Sequence, residues 1–282
     1  MTYRLKHLGA AALAIALAAC SEQPEGEPIV RTELGESVAS EETTPEPEAT
    51  PDEPEVASAC RAVEFESISL THCTADPAQH RISTAYAQSG NRFGTLNAFA
   101  ETVDKRTIAF AMNGGTFGDD GKPRGYFVQA KDRMVELNRG DGEGNFYLKP
   151  NGVFFGTGGT WRLLGTNTFY STVGDRPEFG TQGGPMLVVS GKLHPEIAEN
   201  GPSRAIRNGV GVGADGKAHF VISNDPLSFG QLARYFRDEI KVPNALFLDS
   251  KSSSLWDPAT NRLDKGRVGP ILVVTKRESA GG

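Results

Sequence analysis

The sequence predicts a single strand-rich domain of mixed α/β (α+β) class, a twisted mixed sheet with a few covering helices. Three observations lead there. Short apolar runs recur along residues 58–282, separated by Gly, Asn and Pro. Several are continuous (Ile-Ala-Phe-Ala-Met, Met-Leu-Val-Val, Ala-Leu-Phe-Leu, Ile-Leu-Val-Val), as in strands buried on both faces. Only two segments have a helical period.

In chain order, the runs at 107–112, 125–130, 133–137, 152–155, 161–164, 185–189, 209–212, 218–223, 245–248 and 270–275 read as strands. Asp-Gly pairs at 120–121 and 215–216 supply the backbone a hairpin turn needs, most clearly in Ala214-Asp215-Gly216-Lys217. Leu96, Phe99, Ala100 and Val103 share one helical face. Phe229, Leu232, Ala233, Phe236 and Ile240 form a longer stripe, with Asp225 or Ser228 as its N-cap and Pro226 near its first turn. Lys241 and Pro243 close it.

The first 57 residues read differently. Arg4 and Lys6 precede an uncharged run of 12 residues, 8–19. That is shorter than the roughly 20 residues that span a bilayer, and it has the length of a secretory h-region. It ends in Leu17-Ala18-Ala19-Cys20, the pattern of a lipobox. Residues 1–19 are therefore expected to be a lipoprotein signal peptide, with Cys20 lipidated and acyl chains anchoring the protein to a membrane. Ser21 stands where an Asp would favour inner-membrane retention, so an outer-membrane location facing the periplasm or the cell surface is expected. Residues 20–57 contain twelve Asp or Glu against one Arg, and six Pro. With almost nothing large and apolar to bury, the stretch reads as an extended acidic tether. Without leader and tether, the remaining chain carries a net charge of +3, which permits an anionic ligand and gives no reason to expect nucleic acid.

Two cysteines remain, Cys60 and Cys73. An even pair in an exported domain reads as a disulfide, contributing about 3 kcal/mol on the chain-entropy estimate. The alternative is a Cys/His metal site using His72, for which no fourth ligand stands nearby.

Four stretches place polar residues and glycines at strand ends, where sites in sheet proteins form. Asn113-Gly114-Gly115 follows a buried run; Asn113 offers a donor and an acceptor, and the glycines allow close approach. Gln182-Gly183-Gly184-Pro185 repeats that logic. Arg204 and Arg207 precede a Gly-Val alternation, and a guanidinium suits phosphate or carboxylate. Finally, a buried run ends in Asp249, followed by Ser250, Lys251, Ser252, Ser253 and Ser254. Asp249 is a candidate for proton transfer, or for capping the turn that follows it. No Ser-His-Asp arrangement, Walker loop or dinucleotide fingerprint is present, so no organic cofactor is expected. A divalent cation on Asp249 and Asp225 stays open.

Together these stretches resemble the phosphodiester glycosidase family. Asn113-Gly114-Gly115 with Phe117 is similar to that family's Asn-Gly-Gly-x-Phe. Gln182-Gly183-Gly184-Pro185 is similar to its Gln-Ser-Gly-Pro, and Arg207-Asn208-Gly209-Val210 to its Arg-x-Gly/Ile-Val. Asp249 with Ser253 and Ser254 matches its Asp-Gly-Gly-Gly-Ser-Ser/Ala, with Ser250, Lys251 and Ser252 in place of the glycines. The segment 145–153, which includes Lys149 and Asn151, resembles a bacterial subgroup. The resemblance covers roughly residues 80–276 in order. It implies hydrolysis of a sugar-1-phosphodiester, with a carbohydrate or glycosyl phosphate as substrate. Arg207 and Lys149 would hold phosphate, and Asn113 and Gln182 sugar hydroxyls. Gly114, Gly115, Asn151, Gly183, Asn208, Ser253 and Ser254 would complete the binding set. Asp249 would act in catalysis, with Asp225 as its carboxylate partner. The competing expectation is a non-catalytic lipoprotein that binds glycans during exopolysaccharide handling.

Overall fold

Strands form where apolar runs are flanked by turn residues. A computed structural model describes residues 57–249 and 253–277. The leader 1–19, Cys20, the rest of the tether up to residue 56, and Ser250, Lys251 and Ser252 lie outside the described residues. The described residues belong to one compact unit.

The chain opens with β1 (Cys60–Phe65), β2 (Ile68–Ala75), β3 (His80–Ala85) and a small hairpin, β4 (Ala87–Gln88) and β5 (Asn91–Arg92). Then come α1 (Leu96–Ala100), β6 (Ile108–Asn113), β7 (Phe127–Gln129), β8 (Asp132–Val135), β9 (Gly152–Thr157) and β10 (Thr160–Gly165). Next are α2 (Thr166–Thr172), β11 (Phe179–Gly183), β12 (Met186–Val189), β13 (Lys192–Leu193), β14 (Asn208–Val212) and β15 (Ala218–Ser223). The chain continues with α3 (Phe229–Arg234), β16 (Asn244–Phe247), β17 (Leu255–Asp257), β18 (Arg262–Leu263) and β19 (Ile271–Lys276). Between α3 and β16, residues Tyr235–Ile240 continue as a π-helical segment.

The strands divide among three larger sheets. Their orders are β1-β2-β15-β14-β16-β12-β13, β10-β9-β11-β7-β8 and β18-β17-β6-β19-β3. Among the described residues every strand pair is antiparallel. The fold is thus strand-rich mixed α/β as expected, although its strands pair in separate antiparallel sheets.

The continuous apolar runs have a specific cause. The three sheets share one core, in which Phe110 of β6, Phe154 of β9, Phe220 of β15, Leu246 of β16 and Leu272 of β19 are buried. Phe110 and Phe154 both meet Phe220 edge-on, with centroids 5.2 and 5.9 Å apart. The seven-stranded sheet buries its other face under α3 and the π-helical segment, through Leu187, Val221, Phe236 and Phe247. Strands such as β16 are therefore covered on both sides. Ser228 caps α3 in a capping box with Gln231, and Lys241 closes the π-helical segment in the left-handed region (φ 62°). Asp225 does not cap; its carboxylate accepts from the Ser69 amide on β2.

Cys60 and Cys73 face each other across β1 and β2 and form a disulfide. Their thiolates are not available to a metal, which removes the Cys/His alternative.

Candidate functional site

Four strand ends converge. β6 ends at Asn113, β11 at Gly183 and β16 just before Asp249, while β14 begins there with Asn208. Two glycines let the backbones meet. A Cβ on Gly115 would sit 2.7 Å from Thr181 Oγ1, and one on Gly183 would sit 2.6 Å from the Phe247 carbonyl. Gly114 fits the same crossing: its amide donates to Pro270 and its carbonyl accepts from the Thr181 hydroxyl.

Asn113 and Asn208 are fully buried and bind each other. Asn208 Nδ2 donates to Asn113 Oδ1 at 2.8 Å, and the return bond is longer at 3.4 Å. Asn113 Oδ1 also accepts from the Ser254 amide at 2.8 Å. Ser253 Oγ lies 3.2 Å from the Ile206 carbonyl and 3.3 Å from Asn208 Oδ1, its one proton available to either. At the other end of this loop the Leu248 amide donates to the Asn208 carbonyl, and Thr116 Oγ1 donates to the Leu248 carbonyl. The two asparagines therefore act as a clamp on the described residues on either side of 250–252, Asn208 through the Leu248 amide and Asn113 through the Ser254 amide. Asp249 is 1% exposed. Ser254 Oγ is buried and has no hydrogen-bond partner among the described residues. A buried hydroxyl without a partner costs free energy and suits a ligand or water.

The Asn208 amide and the Asn113 oxygen are taken up by protein, while Asn113 Nδ2 makes one bond of 3.4 Å, so a positioning role for Asn113 stands beside the sugar contact expected of it. The same expectation for Gln182 is corrected. Its Oε1 accepts from the Tyr126 and Asn138 amides, and its Nε2 donates to the Asn138 carbonyl and to Thr166 Oγ1. All four of its hydrogen-bonding positions are filled by protein. Gly183 pairs with Gly152. Asn151 belongs to the same neighbourhood: its side chain donates to the Phe146 carbonyl, and its own carbonyl accepts from Thr166. Lys149 is half-exposed and paired with Asp141.

Arg207 stands on the other side of β14 from Asn208. The faces alternate along this strand: Val210 lies in the shared core, while Gly209 and Gly211 back onto Phe236 under α3. Arg207 Nε donates to the Leu227 carbonyl, Nη2 donates to Ser203, and the guanidinium stacks 3.7 Å over Phe229. Burial lowers its pKa from the usual value. Its contacts brace the start of α3, so the phosphate role expected for it is replaced by a packing role. Asp225 is exposed and bound to β2, and is not brought into the clamp. Among the described residues, no group of three or more His, Cys, Asp or Glu is placed to hold a metal ion.

Two contributors were not singled out from sequence. Thr116 lies inside the Asn113–Phe117 motif and could have been suspected there. Asp264, which accepts from the Leu255 amide just past Ser254, follows no recognisable pattern.

A family model for phosphodiester glycosidases matches residues 106–275. The chain is 31% identical over 185 residues to Uncharacterized protein YigE of Escherichia coli (strain K12), covering 65% of this chain and 72% of that protein. Its fold is similar to the catalytic domain of zebrafish N-acetylglucosamine-1-phosphodiester alpha-N-acetylglucosaminidase. There the TM-score is 0.55 at 14% identity, over 77% of this chain and 82% of the other. The matched residues include every strand end in the clamp, and the chain belongs to the phosphodiester glycosidase family as a hydrolase of that kind.

Proposed function

We propose that this protein hydrolyses a sugar-1-phosphodiester of the cell envelope, releasing the sugar and leaving a phosphomonoester. We further propose that it does so as an exported lipoprotein, held to the outer membrane through Cys20. The observation that carries the reading of the reaction is a buried carboxylate, Asp249, next to the anchored Leu248, together with a buried hydroxyl, Ser254 Oγ, that has no hydrogen-bond partner among the described residues. In this reading water adds to the anomeric carbon as the bond from that carbon to the phosphate oxygen breaks. Asp249 takes the proton from the water, or stabilises positive charge developing on the sugar ring. The leaving group is already an anion stable in water, so it needs no proton donor. One carboxylate then suffices, and the exposed Asp225 is not required.

The test is release of free sugar from N-acetylglucosamine-1-phospho-mannoside and related phosphodiesters. Asp249→Asn should lose at least 100-fold in kcat without a fall in Tm. Full activity in that variant would remove Asp249 from the mechanism. Binding of the same compounds without release would favour the glycan-binding lipoprotein.

A further inference from the structure

One of the strands that end at the clamp, β11, begins at a second feature, a cleft of about 750 Å³. β11 runs from Phe179 at the cleft to Gly183 at the candidate site, and β9 runs the other way, from Gly152 to Thr157. β19 does likewise, with Ile271 beside Asn113 and Thr275 in the cleft. Four to six residues at about 3.3 Å each put the two sites roughly 15–20 Å apart. The cleft occupies the seam where the turns β7–β8 and β9–β10 face β3 and the end of β19.

Its charges are unbalanced. Among the described residues the one acidic residue lining it is Glu178, whose carboxylate accepts from the Gly158 amide and pairs with Lys131 at 3.4 Å. The Gly158 bond, followed by Lys131 and Arg81, holds this carboxyl below its ordinary pKa. Arg81 and Arg277 also line the cleft, and among the described residues neither is paired with a carboxylate. Arg277 is fixed in place, its Nε donating to the His80 carbonyl at 3.1 Å. Behind them Trp161 and Phe179 form an apolar floor.

We propose that this cleft is a second, non-catalytic binding site, for an acidic saccharide. Two guanidinium groups that form no ion pair among the described residues take an oxyanion, phosphate or carboxylate, with paired hydrogen bonds. The apolar floor suits the carbon face of a sugar ring, and the exposed Ser83 hydroxyl at the rim suits a ring hydroxyl. On a polymeric substrate the cleft would hold one stretch of chain while another is cut. That last consequence rests on the hydrolase reading; the binding itself does not.

The test is calorimetric titration of the full chain with trigalacturonic acid, with glucose 6-phosphate, and with neutral maltotriose. The first two separate carboxylate from phosphate recognition, and neither carries phosphate on the anomeric carbon. At least one acid should bind saturably, with maltotriose tenfold weaker or silent. Arg81→Ala/Arg277→Ala should weaken the acid at least tenfold. Thr157→Glu should do the same by adding a like charge to the rim while leaving the Arg277 bond intact. Both variants should keep the parent Tm and the Asp249-dependent release of sugar from small phosphodiesters. Acid binding no stronger than neutral binding, or acid binding that survives both variants, overturns the proposal. Acid binding that the variants abolish in a chain with no hydrolytic activity would sustain it and defeat only the proposed reaction.

Discussion

Asn113 and Gln182 look alike in sequence: each is an amide beside two glycines at the end of a strand. The structure gives them different tasks. Gln182 closes on itself, its four bonds holding Tyr126, Asn138 and Thr166, and nothing in that latch is left unsatisfied. Asn113 joins Asn208 and the Ser254 amide, and beside this set lie a buried hydroxyl without a partner among the described residues and a buried carboxylate. The difference supports the reading that places the reaction at the Asn113 end of the sheet. A latch with every polar group satisfied holds the chain by itself, whereas a buried hydroxyl without a partner suits a ligand or a water.

The strongest way to break that comparison is to cut the clamp. Asn113→Ala removes the acceptor of the Ser254 amide. It should cost about 2–4 kcal/mol and at least 100-fold in sugar release, measured well below its Tm. Combined with Asn208→Ala, the losses should be less than additive, because each amide serves the other; additive stability losses would mean that they do not act as a unit. Gln182→Ala should destabilise by about 2–3 kcal/mol, since the buried Tyr126 amide loses its acceptor. Its activity at low temperature should stay within tenfold of the parent. A larger loss would return Gln182 to the substrate.

The smallest expected effect lies away from both latches and serves as a control. His72 is buried against Tyr235 and His219, each at 3.0 Å. Burial first, then the charges of His219 and Arg61, lower its pKa from 6.5 to about 3. The folded state prefers neutral His72, while the unfolded chain takes up a proton below pH 6.5. Its contribution is therefore whole above that pH and is lost as pH falls toward 3, by about 2 kcal/mol between pH 7 and 4.5. Chemical denaturation of His72→Gln should show a flatter pH slope than the parent; an unchanged slope would rule His72 out as its source.

The sequence exposes what is written in neighbouring residues. All ten apolar runs become strands and both helical stripes form helices; for runs such as those of β6 and β16, burial on two faces demands unbroken apolar residues, while β8 and β10 are partly exposed. β1, β2 and β3 escape detection because edge and half-exposed strands alternate with charged and hydroxyl residues, as in Cys60–Phe65 and His80–Ala85. β11 reads Phe-Gly-Thr-Gln-Gly and owes its burial to neighbours rather than to its own hydrophobicity. At the site, the convergence of Asn113, Asn208, Ser253 and Ser254 is legible as strand-end chemistry. Which group each amide binds is not, since Asn113 meets Asn208 across 95 residues and Ser254 across 141. Arg207 and Asn208 show the limit most plainly: they are consecutive in sequence and sit on opposite faces of one sheet.

The disulfide has a mechanical consequence. A force pulling on the chain ahead of Ser58 reaches β1 at Cys60, the end at which that edge strand would peel from β2 one pair at a time. The bond hands the load to Cys73, inside a strand flanked on both sides and paired there with Phe220. Traction along the N-terminal arm then shears β2 against β15 instead of unzipping β1. Single-molecule extension of the oxidised chain from its N-terminus should yield at higher force than extension of the reduced chain. Equal rupture forces would show that the bond carries no load.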